Sequence, residues 1–322
     1  MAERERVKIV VPGDDPVQIA GSSHLEGLEP YGDVEIHRDR PESSEEKVAR
    51  AKDADILMNT RGIVTWGEEE FARLDRLRMI TTCSIGTDML DLEAAARRGI
   101  VVSNQPGRTA PVVAEHMFGL MLAAAKRAAY WTEEVKAGRW PRMNNLMLQG
   151  KVLGIVGTGA IGAEMARLGR AIGMEAIAWT YNPSAERAKA LGVRFVELDT
   201  LLSTADVVSL HVKLTEESRG LIGKRELGLM KPGALILNGA RGPILDSEAL
   251  VEGLDSGHLG GAAIDVYDQE PIPPGHPLLS CEQVVLTPHC ADMTPEGVDL
   301  LNSGAVENVI AFLEGRPQNV VT

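Results

Sequence analysis

The chain has 322 residues, of which 44% are hydrophobic and 25% are charged, and its formal net charge is −13. This length favours two domains, and this composition is typical of a globular protein with a sizeable core. The acidic balance argues against nucleic acid or an anionic membrane as a partner, because both require a basic protein surface.

The cysteines and the amino terminus indicate the cellular compartment. Cys83, Cys281 and Cys290 are widely spaced, which fits neither a disulfide framework nor a zinc pattern, so we expect free thiols and no bound metal. Residues 1–6 are mostly charged and are followed directly by a strand-like run, without the apolar segment of a signal peptide. No run approaches the roughly 18 apolar residues that span a membrane. We therefore expect a cytoplasmic protein.

Strand and helix patterns alternate through the first hundred residues. Strands are predicted at residues 7–11, 56–58, 79–83 and 100–102, and helices at 43–52, 68–77 and 91–98. Such alternation is typical of a parallel α/β domain. The stretch Asn104-Gln105-Pro106-Gly107 breaks the pattern and indicates a hinge into a second domain.

A long helix is predicted over residues 110–137. One side of it carries apolar residues, and the apolar character extends far around it: Val113, Met117, Leu120, Met121, Ala124 and Ala128. A helix of this kind is buried on more than one face, so it packs between domains or in a dimer interface. We interpret Glu115 and His116, which lie on it, as packing or interface residues.

The stretch KVLGIVGTGAIG at residues 151–162 is a short apolar strand, a tight turn and the start of a helix. Gly157 permits the turn, Gly159 allows a pyrophosphate to approach the backbone, and Gly162 allows close packing of helix and strand. The first N–H groups of the helix then face the phosphates. The bare glycine pattern is weak, but its position between a strand and a helix predicts a dinucleotide site formed by Gly157, Thr158, Gly159, Ala160, Ile161 and Gly162.

The strand and helix rhythm resumes after this motif. Strands are predicted at residues 176–180, 207–212, 234–238, 262–266 and 284–286, and helices at 184–191, 224–230 and 247–256. The last helix, residues 295–313, lies beyond the completed nucleotide fold, so we expect it to return to the first domain. The sequence thus predicts a dinucleotide-binding domain, residues 105–289, inserted into a discontinuous substrate domain, residues 1–104 and 290–322.

Three polar residues follow strands of the second predicted domain. Arg241, Glu270 and His289 each come just after a predicted strand, at the edge where open α/β sheets bind ligands. A nicotinamide enzyme that acts on a hydroxyl or carbonyl group needs a cation for an anionic substrate, a proton donor and acceptor, and a group that sets the pKa of that donor. These three residue types supply all three functions.

Ordered blocks over nearly the whole chain resemble the D-isomer-specific 2-hydroxyacid dehydrogenases. Besides the glycine motif, these blocks are ADVVSLH at residues 205–211, MKPGA at 230–234, ARG at 240–242, DVYDQEP at 265–271 and TPH at 287–289. The resemblance implies an α/β fold of two doubly wound parallel-sheet domains, in which a Rossmann-type domain is inserted into a flavodoxin-like substrate domain. It also implies a homodimer, in which the loop at residues 139–143 reaches across and contacts the substrate side chain.

The resemblance assigns a role to each candidate residue. Arg241 binds the substrate carboxylate, and His289 exchanges the hydroxyl proton while Glu270 stabilises its imidazolium form. Backbone N–H groups of the loop Ser84-Ile85-Gly86 complete the carboxylate site. Asp265 binds the nicotinamide amide, and the remaining cofactor contacts fall on Thr180, His211 and Ala240.

The cofactor preference is open between NAD and NADP. An acidic residue about 18–20 positions after the last glycine normally accepts the ribose 2′-OH of NAD. Here Thr180 stands at that position, and the first arginine after it is Arg187. We favour NAD, because NADP recognition generally requires a cation close to the 2′-phosphate.

The predicted activity is hydride transfer between NAD(P)(H) and a small D-2-hydroxy acid or its 2-keto partner, as in a glyoxylate or hydroxypyruvate reductase. A phosphite or other small-anion dehydrogenase of the same fold is an alternative, and Glu270 argues against a formate dehydrogenase. A nucleotide-sensing protein that resembles the family's transcriptional corepressors is a second alternative. The substrate side chain and the physiological direction are open at this point.

Overall fold

The computed structural model describes residues 6–62 and 64–322, so the first five residues of the predicted substrate domain lie outside the described part. The chain divides into two compact units. One comprises Met1–Thr109 together with Met293–Thr322, and the other comprises Ala110–Asp292. The chain therefore leaves the first unit at residue 109 and re-enters it at residue 293, a few residues from the two places where the sequence predicts boundaries.

Within the described residues the first unit contains five strands: β1 (Val7–Val11), β2 (Gly32–Ile36), β3 (Ile56–Asn59), β4 (Met79–Thr82) and β5 (Val101–Ser103). The second unit contains seven: β6 (Val152–Val156), β7 (Glu175–Trp179), β8 (Arg194–Phe195), β9 (Val207–Leu210), β10 (Leu235–Asn238), β11 (Gly261–Ile264) and β12 (Val284–Leu286).

The helices of the first unit are α1 (Ser44–Ala51), α2 (Glu68–Phe71), α3 (Leu92–Arg97) and, after re-entry of the chain, α11 (Pro295–Leu313). Those of the second unit are α4 (Ala110–Ala125), α5 (Ala128–Lys136), α6 (Ala160–Ala171), α7 (Ala185–Leu191), α8 (Leu198–Thr204), α9 (Lys224–Leu229) and α10 (Ser247–Asp255). Among the described residues, none of these helices has the length and apolar character needed to cross a membrane.

The sheet of the first unit is parallel, with strand order β2-β1-β3-β4-β5. This is the flavodoxin-like order, which confirms the predicted class of the first domain. Side chains of the central strands alternate between two cores, one on each face of the sheet: Val10, Leu57 and Ile80 on one face, and Ile9, Ile56 and Met79 on the other. Helix α11 covers the second face with Ala305, Val306 and Val309.

The sheet of the second unit is also parallel, with strand order β8-β7-β6-β9-β10-β11-β12. This is the Rossmann order with one additional strand, and it confirms the predicted Rossmann-type fold of this domain. The chain changes direction across the sheet between β6 and β9, and ligands of such sheets bind beyond the carboxyl ends of the strands at this point. Gly157, at the end of β6, and His211, at the end of β9, lie there.

The predicted single helix over residues 110–137 is wrong, because the structure has two helices there. Arg127 adopts left-handed backbone angles between them, with φ of 50°. The apolar positions that predicted the helix are buried as far as Ala124, whereas α5 has no buried residue. The stretch after Arg127 leaves the core, and Trp140, which follows α5, is 74% exposed.

Candidate active site

The glycine motif forms a turn that only glycine fits at two of its three positions. Gly157 has φ of 97°, and a Cβ atom there would lie 2.7 Å from the backbone of His211 and Val212. A Cβ atom on Gly162 would lie 2.0 Å from the carbonyl oxygen of Gly157. By contrast, a Cβ atom on Gly159 would meet no atom within 4 Å. The open space above Gly159, at the start of α6, fits a pyrophosphate group.

Arg187 lies against this turn, although it is 25 residues beyond Gly162 in the sequence. Its Nη2 donates to the carbonyl oxygen of Thr158 at 2.9 Å and to the Thr158 hydroxyl at 2.8 Å. Its Nη1 donates to the carbonyl oxygen of Asn182 at 2.8 Å. The guanidinium group therefore joins the glycine turn to the loop that follows β7, which contains Thr180.

Two other predicted cofactor residues follow the ends of β9 and β10. The imidazole of His211 is hydrogen-bonded from Nε2 to the Ser209 hydroxyl at 2.8 Å, and burial lowers its pKa to about 4, so the ring is neutral. Its backbone is the part that approaches Gly157. The N–H group of Ala240 donates to Oδ1 of Asn238 at 3.1 Å. Both cofactor assignments stay predictions.

The turn after β10 holds Arg241. The Asn238 side chain closes this turn, because its Nδ2 donates to the carbonyl oxygen of Arg241 at 2.9 Å. A Cβ atom on Gly242 would lie 2.1 Å from the carbonyl carbon of Tyr267, so the absence of a side chain there allows the two turns to pack together. This packing brings Arg241 close to the segment that carries Glu270.

Glu270 and His289 form a hydrogen-bonded pair. Nδ1 of His289 and Oε2 of Glu270 are 2.7 Å apart, and the N–H group of Tyr267 donates to Oε1 of Glu270 at 3.0 Å. The hydrogen bond to Glu270 raises the pKa of His289 above its usual value, against burial and the charge of Arg241. Burial opposes the charged form of Glu270, but the bonds from His289 and Tyr267 outweigh it and lower the pKa of Glu270.

Asp265 supports the turn that presents His289. The backbone of His289 is left-handed, with φ of 51°, which is uncommon for a residue other than glycine. The buried Asp265 carboxylate accepts hydrogen bonds from the Thr287 hydroxyl at 2.5 Å and from the N–H groups of Cys290 and Ala291 at 3.1 and 3.2 Å. It therefore holds the chain on both sides of His289, while its predicted contact with the nicotinamide amide stays a prediction.

His116, on α4, also contacts this network. Its Nε2 lies 3.5 Å from Oδ1 of Asp265 and 3.3 Å from the Thr287 hydroxyl. The sequence predicts only a packing or interface role for His116, and it does not predict the supporting positions of Thr287 and Tyr267. The sequence marks Thr287 and Tyr267 only through their places in the family motifs TPH and DVYDQEP.

The donor atoms of His116, Asp265 and Cys290 lie within 4.8 Å of one another, a separation that a metal ion could bridge. However, both carboxylate oxygens of Asp265 already accept protein hydrogen bonds. Burial, followed by the charges of Asp265 and Asp292, raises the pKa of the Cys290 thiol, which disfavours the thiolate that a metal requires. We therefore interpret the cluster as a hydrogen-bonded support for His289.

The predicted substrate loop lies in the first unit, directly after β4. The Ser84 hydroxyl donates to the carbonyl oxygen of Gly86 at 2.9 Å, and Asn104 Nδ2 donates to that of Ile85 at 2.7 Å. In the part of the chain that the structure describes, the backbone N–H groups of Ile85 and Gly86 have no hydrogen-bond acceptor. These two N–H groups are therefore available to an anionic ligand.

Known proteins resemble this chain over most of its length. A profile of the family described as "D-isomer specific 2-hydroxyacid dehydrogenase, NAD binding domain" matches residues 118–291, which include the glycine motif, Arg241, Glu270 and His289. A glyoxylate reductase of Aeropyrum pernix is 38% identical over 310 residues, which cover 92% of each chain.

Two further proteins extend the comparison. A D-3-phosphoglycerate dehydrogenase of Archaeoglobus fulgidus is 41% identical over 245 residues, but these cover 75% of this chain and only 46% of that protein. The crystal structure of a glyoxylate reductase from Paecilomyes thermophila has a TM-score of 0.89 at 28% identity and covers 98% of both chains.

Proposed function

Because the chain belongs to the D-isomer-specific 2-hydroxyacid dehydrogenase family, we propose that it reduces a small 2-keto acid of the glyoxylate or hydroxypyruvate type. It is an NAD(P)-dependent oxidoreductase. The observation that carries the proposal is the pair of His289 and Glu270, 2.7 Å apart, beside Arg241 in the unit that contains the dinucleotide turn. The glyoxylate reductase relatives, which align over nearly their full length, support a small acid as the substrate.

The pair supplies a proton at the position where the reduction needs one. The nicotinamide ring, when bound, supplies the hydride that attacks C2 of the keto acid. His289 enters the reaction as imidazolium and donates its Nε2 proton to the carbonyl oxygen, while Glu270 holds the ring through Nδ1 and stabilises its charge. General acid catalysis of this kind typically accelerates a reaction about 10²–10⁴-fold.

Arg241 is proposed to bind the substrate carboxylate, and backbone N–H groups of the Ser84 loop are proposed to bind an anionic group. A guanidinium is planar and permanently charged, and its geometry suits a carboxylate. The N–H groups of Ile85 and Gly86, which have no acceptor within the described residues, are proposed as donors to an anionic ligand. The Ser84 hydroxyl, bonded to the carbonyl oxygen of Gly86, fixes the shape of this loop.

We also propose that the protein is a homodimer and that it works in the cytoplasm with no nucleic acid or membrane partner. Large apolar side chains are exposed along α5 and the loop after it, namely Val135, Trp140, Met143 and Met147. A cluster of exposed apolar residues is typical of a protein interface. The three cysteines are free thiols, which supports a reducing compartment.

The test follows the absorbance of the reduced nicotinamide in the presence of glyoxylate, hydroxypyruvate, pyruvate and phenylpyruvate, with NADH and NADPH in parallel. We expect turnover of glyoxylate or hydroxypyruvate, and a loss of at least 10²-fold in His289→Ala with cofactor binding retained. His276→Ala is the matched control, because His276 caps a short 3-10 helix in the same unit. Cofactor binding without turnover of any keto acid would contradict the proposal and favour phosphite oxidation or a sensing role.

A further inference from the structure

The loop after β7 lacks the carboxylate that marks an NAD-specific Rossmann domain. In that fold an acidic residue near the end of the second strand accepts hydrogen bonds from the ribose 2′-OH and repels a 2′-phosphate. The second strand here is β7, which ends at Trp179, and Thr180 follows it. The residues from Thr180 to Ala185 are Thr, Tyr, Asn, Pro, Ser and Ala, none of which is acidic.

Arg187 provides a cation at the same place. Its guanidinium donates to both oxygens of Thr158, in the glycine turn, and to the carbonyl oxygen of Asn182, in the loop after β7. These two loops surround the adenosine ribose of a dinucleotide whose pyrophosphate lies above Gly159. From sequence spacing alone Arg187 is too distant to count as a ribose contact, yet the turn before α7 folds it back onto Thr158.

We propose that Arg187 binds the 2′-phosphate of NADP(H) and makes this cofactor the preferred one. The proposal rests on the proposed function, because it concerns the cofactor of the same reaction. A guanidinium has five N–H donors, and the three bonds to Thr158 and Asn182 leave others for a phosphate. Since these bonds hold the side chain in place before the cofactor binds, little conformational entropy is lost on binding.

A purely structural role for Arg187 makes a different prediction. If the guanidinium only braced the glycine turn against the loop after β7, its removal would weaken NADH and NADPH equally, because both share the pyrophosphate site. If it binds the 2′-phosphate, its removal weakens NADPH alone. The difference between the two cofactors therefore separates the two roles.

The experiment measures dissociation constants by calorimetric titration, without keto acid, for NADPH, NADH and the fragments adenosine 2′,5′-bisphosphate and 5′-AMP. We expect the unmodified protein to bind NADPH and the bisphosphate at least tenfold more tightly than NADH and 5′-AMP. In Arg187→Ala we expect NADPH and bisphosphate affinity to fall about 10–100-fold, as for the loss of a charge-assisted phosphate contact, and NADH affinity to stay within twofold. The affinity of the unmodified protein for NADPH should also decrease more steeply with salt than its affinity for NADH.

Arg170→Ala is the matched control, because Arg170 in the same unit also donates to a backbone carbonyl, that of Leu191, at 3.2 Å. It should change neither affinity. Thr180→Asp places a carboxylate at the end of β7 and should reverse the preference to NADH. Tighter binding of NADH by the unmodified protein, or equal losses of both cofactors in Arg187→Ala, would overturn the inference. Since these titrations contain no keto acid, a failure of the proposed reaction would appear only in the turnover assay.

Discussion

Replacing Glu270 with Gln should move the pH dependence of the reaction toward acid. Gln keeps the size of the side chain and its ability to bond Nδ1 of His289, but it removes the negative charge that lies 2.7 Å from the ring. In the unmodified enzyme this hydrogen bond raises the pKa of His289, whereas burial and Arg241 lower it. Without the carboxylate, burial and Arg241 still lower the pKa of His289 and only the smaller effect of Asp265 raises it, so this pKa falls.

The expected size of the effect follows from the exposure of the pair. A hydrogen bond to a charged group contributes about 1.5–3 kcal/mol. The side chains of His289 and Glu270 are 43% and 38% exposed, so solvent screening favours the lower end of that range. Because about 1.4 kcal/mol corresponds to a factor of ten, kcat/KM for reduction should fall about tenfold above neutral pH.

A lower pKa of His289 has opposite effects on the pH dependence of reduction and of oxidation. Reduction needs imidazolium, so its kcat/KM decreases as the pH rises through the pKa of His289, and this decrease should begin at lower pH in Glu270→Gln. Oxidation of the hydroxy acid needs the neutral ring, so its activity should extend to lower pH in the variant. Full pH profiles in both directions measure this, with Glu252→Gln, at an exposed ion pair with Lys224, as the control. A profile that stays in place or moves toward alkali would refute the assigned role of Glu270.

Three further predictions concern the cofactor turn, the substrate cation and the interface. Gly162→Ala should destabilise the protein by about 1–3 kcal/mol or more, because its Cβ would lie 2.0 Å from a carbonyl oxygen. Gly159→Ala, whose Cβ would meet no protein atom, should keep the melting temperature and weaken cofactor binding about tenfold. Calorimetric melting and titration of both variants test this pair. Arg241→Lys should lower kcat/KM for the keto acid about 10–100-fold with cofactor affinity unchanged, since Lys lacks the planar fork, and steady-state kinetics measure it. Trp140→Glu should convert the proposed dimer to a monomer in light scattering, because this exposed side chain lies in the proposed interface.

The sequence predicts the central strands of both sheets well, because parallel strands that are buried on both faces are nearly continuous apolar runs. The internal strand β1 begins and ends where its apolar run predicts, and so does the edge strand β12. β2, which the sequence reasoning did not identify, is an edge strand with the mixed sequence GDVEI and alternating burial. Its pairing with β1 depends on the rest of the sheet, so no local pattern marks it.

In the candidate site, too, some residues are marked by the local sequence and others depend on tertiary packing. Arg241, Glu270 and His289 are identifiable because each lies in the segment that follows a strand, and the strand order explains why such segments lie at one edge of the sheet. The contacts of Arg187 and His116 depend on how α7 and α4 pack, and spacing along the chain does not contain that information. For Arg187 this contact at the glycine turn is the basis of the proposed preference for NADP(H).

In the proposed reaction, the charges around His289 link substrate binding to proton transfer. Arg241 lowers the pKa of His289, and Glu270 raises it, so the free enzyme holds the proton through a balance of opposite charges. An anionic substrate at Arg241 would compensate the guanidinium charge and weaken its effect on the imidazole. His289 would then keep its proton more firmly once the keto acid is bound, at the stage where reduction requires it. The pH profile of kcat, which reports the substrate complex, should therefore lie at higher pH than that of kcat/KM, which reports the free enzyme.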